Sequence, residues 1–388
     1  MLADGLDDLL EMRRIRPLLG TFVEVGVRLG AQATAGAPAA VDAAFHAVAQ
    51  AQSLWSFQSP DSELSQLNRH PGERLPLHRQ TLHLLRLAKG LMLRSGAAFD
   101  CTVGGALVQG GALPDHGGPQ PLPHGCADDI EIGSGWARLR RPVRLTLDGI
   151  AKGYAVDLAL AALRRPGVVA GWINAGGDLR VFGDLLLPVQ RREADGRLTA
   201  LGGLRNAALA TSWARHGDSG RSGQIDRAGR IDGSDGIGGG SGSSGIGGND
   251  CNGGSGGSSG SGSGGSGGSG GSPRSMPDQR FAARIVASAG HRPSPGVWTV
   301  LAHSAWRADA LTKVAANTPA DRRAGLIAQL GGCLVSPGAL PQAKAGAIPA
   351  TQPETQPAAP PAALFAAPPP ALSASARWQR GHCTVKAR

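Results

Sequence analysis

Residues 143–183 leave this chain few choices. Val143 to Leu147 read as a strand, Asp148-Gly149 as a tight turn, and the stretch after them as a helix. That helix carries Ala155, Val156, Leu158, Ala159, Leu160, Ala162 and Leu163 on a broad apolar face, and Pro166-Gly167 ends it. A second apolar run, Val168 to Ile173, leads into the turn Asn174-Ala175-Gly176-Gly177-Asp178, after which Leu179 to Phe182 alternate again. A strand, a glycine-bearing turn and a helix N-terminus can together hold a phosphate, because free N–H groups and the helix dipole converge on one spot. The same letters also fit a plain strand–helix–strand unit with glycine turns, and geometry alone favours that plainer reading.

The rest of the chain bounds what can surround this unit. Of 388 residues, 60 are Gly, and about residues 233–273 are almost pure Gly and Ser, which cannot bury apolar area. Residues 337–377 are rich in Ala, Pro and Gln and read as a disordered or polyproline tail. What is left suffices for one sizeable core. The net charge of +10 comes almost entirely from Arg. It could mark an acidic partner or a mere compositional preference for Arg; the second is favoured, because polybasic blocks and aromatic–basic interleaving are both lacking. No nucleic-acid partner is expected. The five cysteines (Cys101, Cys126, Cys251, Cys333, Cys383) form no C-x-x-C pair, so neither a zinc site nor a disulfide framework is indicated. The first residues are acidic and then basic, without the apolar centre of a signal peptide, and no stretch is long enough to span a bilayer. The expectation is a cytoplasmic chain, or a periplasmic one if the start site lies elsewhere.

Thr21, Val23, Val25, Val27 and Leu29 share one face of a first strand, with Glu24 and Arg28 on the other. Residues 39–55 read as an amphipathic helix with Val41, Ala44, Phe45, Val48 and Leu54 inward, and residues 80–95 as another with Leu82, Leu85, Leu87, Leu91 and Leu93 in the core. Ser62 is a candidate helix N-cap. Residues 106–130 read as a loop, and Leu185 to Arg205 as two irregular strands. Further strands are expected at Val297–Ala302 and Cys333–Val335, with helices from Arg307 and from Asp321.

Several stretches, in order, resemble the FAD:protein FMN transferases, the ApbE or thiamine-biosynthesis lipoprotein family. They are Leu19-Gly20-Thr21; Ser56-Phe57-Gln58 through Pro60-Asp61-Ser62-Glu63-Leu64-Ser65 to Leu67-Asn68; Phe99-Asp100-Cys101-Thr102-Val103-Gly104; Asp148-Gly149-Ile150-Ala151-Lys152-Gly153-Tyr154-Ala155-Val156-Asp157; Asn174 to Asp178; Ala207 to Ser212; and Ala308-Asp309-Ala310-Leu311-Thr312. The resemblance covers most of residues 16–335 apart from the Gly/Ser insert. It implies an α+β fold with mixed sheets, packed helices and FAD in a cleft between lobes. The implied organisation is an extension over 1–15, a first part of the transferase domain over 16–232, an insert over 233–273, a second part with the metal motif over 274–336, and a tail over 337–388.

By the same resemblance Leu19, Gln58, Asp100, Cys101, Thr102, Thr146, Asp148, Lys152 and Ile231 contact FAD. Gly149, Asp309, Thr312 and Lys313 form a Mg²⁺ site. The chain departs from the family's pattern at five places. Leu19 stands for a Met, Gln58 for a Tyr or His, Thr146 for an Asp, Lys313 for a Thr, and Gly229 for a His near Ile231-Asp232. A protonated lysine cannot ligate Mg²⁺ but can neutralise a phosphate directly; an ordinary Asp309–Lys313 surface pair is the plainer alternative. The implied reaction moves the FMN half of FAD to a Thr or Ser hydroxyl of a flavoprotein in a redox or respiratory complex and releases AMP. Such chemistry needs position and charge neutralisation more than covalent help. Asp232 is the candidate general base and Asp309 the fallback, with His303 and His216 as weaker options. Alternative functions are an FAD-binding relative without transferase activity, an FAD pyrophosphatase and, least favoured, a nucleic-acid adaptor.

Overall fold

The computed structural model describes residues 10–30, 36–214 and 293–340. The expectations for His216, Gly229, Ile231, Asp232, Cys251, the Gly/Ser insert, the tail beyond residue 340 and Cys383 lie outside the described residues.

In chain order the elements are β1 (Leu10–Leu18), β2 (Thr21–Leu29), α1 (Ala37–Trp55), α2 (Glu63–Arg69), β3 (Leu75–Pro76), α3 (Arg79–Arg94) and α4 (Gly104–Gln109). Then follow β4 (Ile130–Ile132), β5 (Trp136–Leu139), α5 (Ala151–Leu163), β6 (Val168–Ala175), β7 (Asp178–Phe182), β8 (Leu187–Arg192), β9 (Leu198–Leu204) and β10 (Ala208–Ala214). The chain closes with β11 (Gly296–Ala302), α6 (Ala305–Asn317), α7 (Ala320–Gln329) and β12 (Gly332–Leu334). This is the α+β arrangement expected from the sequence.

Seven strands form one antiparallel sheet in the order β1-β2-β6-β7-β10-β11-β12. The inward set of β2, Val23, Val25, Val27 and Leu29, packs on α1 and α5 through Val41, Phe45, Val48, Val156 and Leu160. The other face of the sheet carries Trp172, Leu179, Val181 and Leu209 under the β8–β9 hairpin, whose Val189, Leu201 and Leu204 close over them. Glu24 lies on this second face and accepts a hydrogen bond from Trp172 Nε1 at 3.2 Å. A separate core joins α2, α3, the small β3-β5-β4 sheet and α6.

Several expectations need correction. Val143 to Leu147 is extended but, among the described residues, belongs to no sheet and makes one bridge, Val103 to Arg144. Its backbone is satisfied elsewhere. Asn68, buried, donates to the Leu145 carbonyl at 2.9 Å and accepts from the Leu145 N–H at 2.7 Å, while Thr146 N–H donates to the Cys101 carbonyl at 2.9 Å. Leu93 is 61% exposed, because the buried stripe of α3 runs through Thr81, Leu82, Leu84, Leu85, Ala88, Leu91 and Met92. Leu54 and Leu87 are half-buried. Residues 106–130 are not all loop: they begin inside α4 and contain a 3₁₀ turn at Ala127–Asp129. β1 already occupies Leu10 to Ile15, part of the stretch expected as an extension. Ser62 does cap α2, accepting from Ser65 N–H at 3.1 Å.

Candidate active site

The site is built where α5 and α6 touch. Gly153 makes that approach possible: a Cβ there would stand 2.3 Å from the Ala305 carbonyl oxygen and 2.8 Å from Asp309 Cβ. With no side chain in the way, Gly153 N–H donates to Asp309 Oδ2 at 3.1 Å. Asp157, one turn further along α5, fixes the start of α6. Its Oδ1 accepts from Ala305 N–H at 2.9 Å and its Oδ2 from Trp306 N–H at 3.0 Å, and it pairs with Arg180 from β7. Ser304, the N-cap residue of α6, makes no side-chain cap bond, so Asp157 does that work from a neighbouring helix. Burial raises the Asp157 carboxyl, and the Arg180 charge and the two N–H groups oppose the rise.

Asp309 is fully buried, as is Thr312. The Lys313 ammonium closes on Asp309 Oδ1 and also reaches the Asp309 carbonyl at 3.2 Å and Ser212 Oγ at 3.1 Å. Thr312 Oγ1 lies 2.7 Å from both Ser212 Oγ and the Asp309 carbonyl. Gly149 flanks the lysine: a Cβ there would lie 3.5 Å from Lys313 Cε and 3.4 Å from the Phe99 ring. The Asp309–Lys313 pair expected from the spacing is therefore present, but it is an interior pair, not a surface one.

A second ion pair stands beside the first. The hairpin between β6 and β7 turns on Gly176 (φ 61°) and Gly177 (φ 104°), left-handed conformations that suit glycine, and Gly177 N–H donates to Asn174 Oδ1 at 3.0 Å. This turn sets Asp178 opposite Ala175 and buries it. Lys152 Nζ, near the start of α5, lies 3.6 Å from Asp178 Oδ2, and that oxygen has no hydrogen-bond partner among the described residues. Burial pushes the Asp178 carboxyl up to about 6; the Asp309 charge adds to this and Lys152 opposes it. The Lys152 ammonium is raised in turn, chiefly by Asp178. Asp148 reaches solvent, yet the protein mass around it raises its carboxyl, with Thr146 and Lys152 opposing.

The structure thus brings together Gly149, Lys152, Asp309, Thr312 and Lys313, and adds Asp157, Asp178 and Ser212, which the sequence reading did not single out. Their stretches were noticed; what betrays their roles is contact across the fold. Thr146 links to the 100–102 segment through the Cys101 carbonyl. There Asp100 Oδ1 accepts from the N–H and hydroxyl of Thr102 at 2.7 and 2.6 Å, and Thr102 Oγ1 accepts from Gly125 N–H at 3.1 Å. The Cys101 side chain is buried against Met92, and burial pushes its thiol up, so it offers a bound ligand its backbone only. Leu19, at φ 55°, spends its N–H on Gln52 Oε1 at 2.6 Å, Gln58 is exposed, and His303 is exposed. Asp309, the fallback base, has both oxygens already accepting hydrogen bonds, which suits an anchor better than a proton acceptor.

A cleft of about 1110 Å³ runs between the sheet and the β8–β9 hairpin. Lys152, Ser212, Gly176, Trp172, Trp213 and Arg191 line it, so it opens onto the double ion pair. Of the residues expected to touch FAD, Lys152 alone of those described lines this cleft.

The family model described as the ApbE family matches residues 19–217. The chain belongs to the ApbE family. Its fold is also that of solved ApbE proteins. The flavin transferase ApbE of Vibrio cholerae superposes with a TM-score of 0.57 at 18% identity, covering 82% of this chain and 90% of that one. The flavinyl transferase ApbE of Pseudomonas stutzeri, in its apo form, gives 0.56 at 16% identity, covering 83% and 88%. The ApbE protein of Thermotoga maritima gives 0.56 at 19% identity, covering 84% and 93%. No curated protein sequence matches the chain. Among the described residues no helix is long and apolar enough to cross a membrane.

Proposed function

We propose that this ApbE-family chain transfers the FMN half of FAD to a Thr or Ser hydroxyl of a target flavoprotein, one belonging to a redox or respiratory complex. The observation that carries the reading is the joint of α5 and α6, where the Lys152–Asp178 and Lys313–Asp309 pairs stand side by side and Lys152 and Ser212, the latter a partner of Lys313, line a cleft. The acceptor hydroxyl attacks the FMN phosphorus of FAD. The bond from that phosphorus to the bridging oxygen breaks, AMP leaves with the bridging oxygen, and the hydroxyl proton passes to a base. The lysines hold the diphosphate and offset the charge that gathers on the leaving oxygen. The cluster of helix N-terminus, glycine hairpin and buried carboxylates keeps those two ammonium groups in place before substrate arrives.

The resemblance also implied Mg²⁺ at Gly149, Asp309, Thr312 and Lys313. Magnesium asks for near-octahedral oxygen ligands. Here Asp309 is the one carboxylate of the set; both its oxygens are engaged, and an ammonium stands against one of them. The donor set as it stands does not fit the ion. The transfer reading is tested by following AMP release from FAD with and without a Thr-bearing acceptor peptide. Acceptor-dependent AMP from the wild type, lost in Asp309→Ala, is expected. AMP production that ignores the acceptor would instead support an FAD pyrophosphatase, and FAD recovered intact would support a binding protein without transferase activity.

A further inference from the structure

We infer that the Lys313 ammonium is itself the cation of this site, standing where a divalent ion is otherwise called for, so that the chain holds the diphosphate of FAD without a metal. The inference rests on the proposed use of FAD, and it concerns only how that substrate is held.

Three observations carry it. The first is the oxygen set around Lys313 Nζ: the Asp309 carboxylate, the Asp309 carbonyl at 3.2 Å and Ser212 Oγ at 3.1 Å. A carboxylate, a carbonyl and a hydroxyl on one side of a cation form the kind of shell that a hard ion draws from a protein. An ammonium with three donors answers to the same shell, and an N–H released from one of the two longer contacts, the Asp309 carbonyl or Ser212 Oγ, can turn to a phosphate oxygen. The second is burial. The Asp309 side chain is inaccessible and that of Lys313 is 13% exposed, so the charges are matched inside the protein, with one face of the ammonium left toward solvent. Removing the lysine would leave a carboxylate buried without its counter-charge, a costly state that a bound cation would relieve. The third is the support around the lysine. Gly149 packs beside its stem, and Ser212, itself buried, is held by Thr312 Oγ1 at 2.7 Å. A divalent ion could take Asp309 Oδ1 only by displacing that ammonium.

Lys152 completes the arrangement from the other side. Its contact with Asp178 is long, and it lines the cleft. Two ammonium groups on facing elements, one seated deep and one loosely held, give a diphosphate two points of attachment.

The test compares FAD affinity, read from flavin fluorescence, in EDTA and in millimolar Mg²⁺, together with Mn²⁺ binding to the FAD-free protein read by electron paramagnetic resonance. For the wild type the dissociation constants in the two conditions should agree within about twofold, and no stoichiometric Mn²⁺ should bind. In Lys313→Thr, which frees the carboxylate and places a hydroxyl one turn below it, Mn²⁺ binding should appear. FAD affinity in that variant should fall at least tenfold in EDTA and return with Mg²⁺. A wild type that binds one Mn²⁺, or that needs Mg²⁺ for FAD, overturns the inference and leaves the transferase reading intact. Absence of FAD binding under every condition overturns the transferase reading itself. Should Lys313→Thr not fold, the wild-type Mn²⁺ measurement alone decides.

Discussion

Gly153 shows how much one missing side chain can carry. The overlap that a Cβ would create falls on backbone and on the stem of Asp309, neither of which can swing aside. Gly153→Ala should therefore part α5 from α6 and cost about 1–3 kcal/mol of stability, as overpacking commonly does. It should also weaken FAD binding at least tenfold. Urea denaturation and a flavin titration read the two effects, and an unchanged affinity would detach the helix joint from ligand binding. Asp178 makes a prediction about pH. Its carboxyl rises to about 6 in the fold, so the protonated form is the one the fold favours. Its contribution is full below the unfolded carboxylate value of about 3.9 and is lost as pH rises through the folded one. Melting temperature should therefore fall in the wild type relative to Asp178→Asn between about pH 4 and about pH 7. A difference that stays constant over that window would show that Asp178 does not titrate there. None of this was visible in the letters: Asp178 sits in a turn that the sequence does mark, but its neighbours Lys152 and Asp309 come from elsewhere in the chain.

At the scale of elements, the helices and hairpins were legible and their joints were not. α5, β6 and β7 follow directly from apolar period, a Pro-Gly stop and a Gly-Gly turn. Val143 to Leu147, ahead of the turn into α5, looked like a strand because their apolar content is right; the pairing partner of Leu145 is the amide of Asn68, which no local pattern can announce. Asn68→Leu should cost about 2–4 kcal/mol, since it strands one buried N–H and one buried C=O. Chemical denaturation checks this, and a loss under about 0.5 kcal/mol would mean that the segment finds other partners. α6 depends in the same way on α5. Asp157→Ala removes both acceptors at the start of α6 and leaves Arg180 facing an apolar methyl, for a loss of roughly 2–4 kcal/mol. Hydrogen exchange should then quicken first at Ala305 and Trp306. Protection that stays even along α6 would rule out Asp157 as its cap.

For the whole molecule, the sheet is the platform and its two faces have different work. One face is sealed by α1 and α5; the other meets the β8–β9 hairpin across a cleft that ends at Lys152 and Ser212. The fold class could be read from the sequence because the family's stretches keep their order through the chain. The charge arrangement could not, because Lys313 reads as a metal-site position by alignment and as a surface partner by spacing, and only burial shows which cation Asp309 holds. The most direct measurement is the mass of a Thr-bearing acceptor peptide after incubation with FAD in EDTA, with the wild type and with Asp309→Ala side by side. The account predicts a peptide heavier by one phosphoester-linked FMN with the wild type and an unmodified peptide with the variant. A peptide left unmodified by the wild type both in EDTA and in Mg²⁺, or modified equally well by Asp309→Ala, would contradict it.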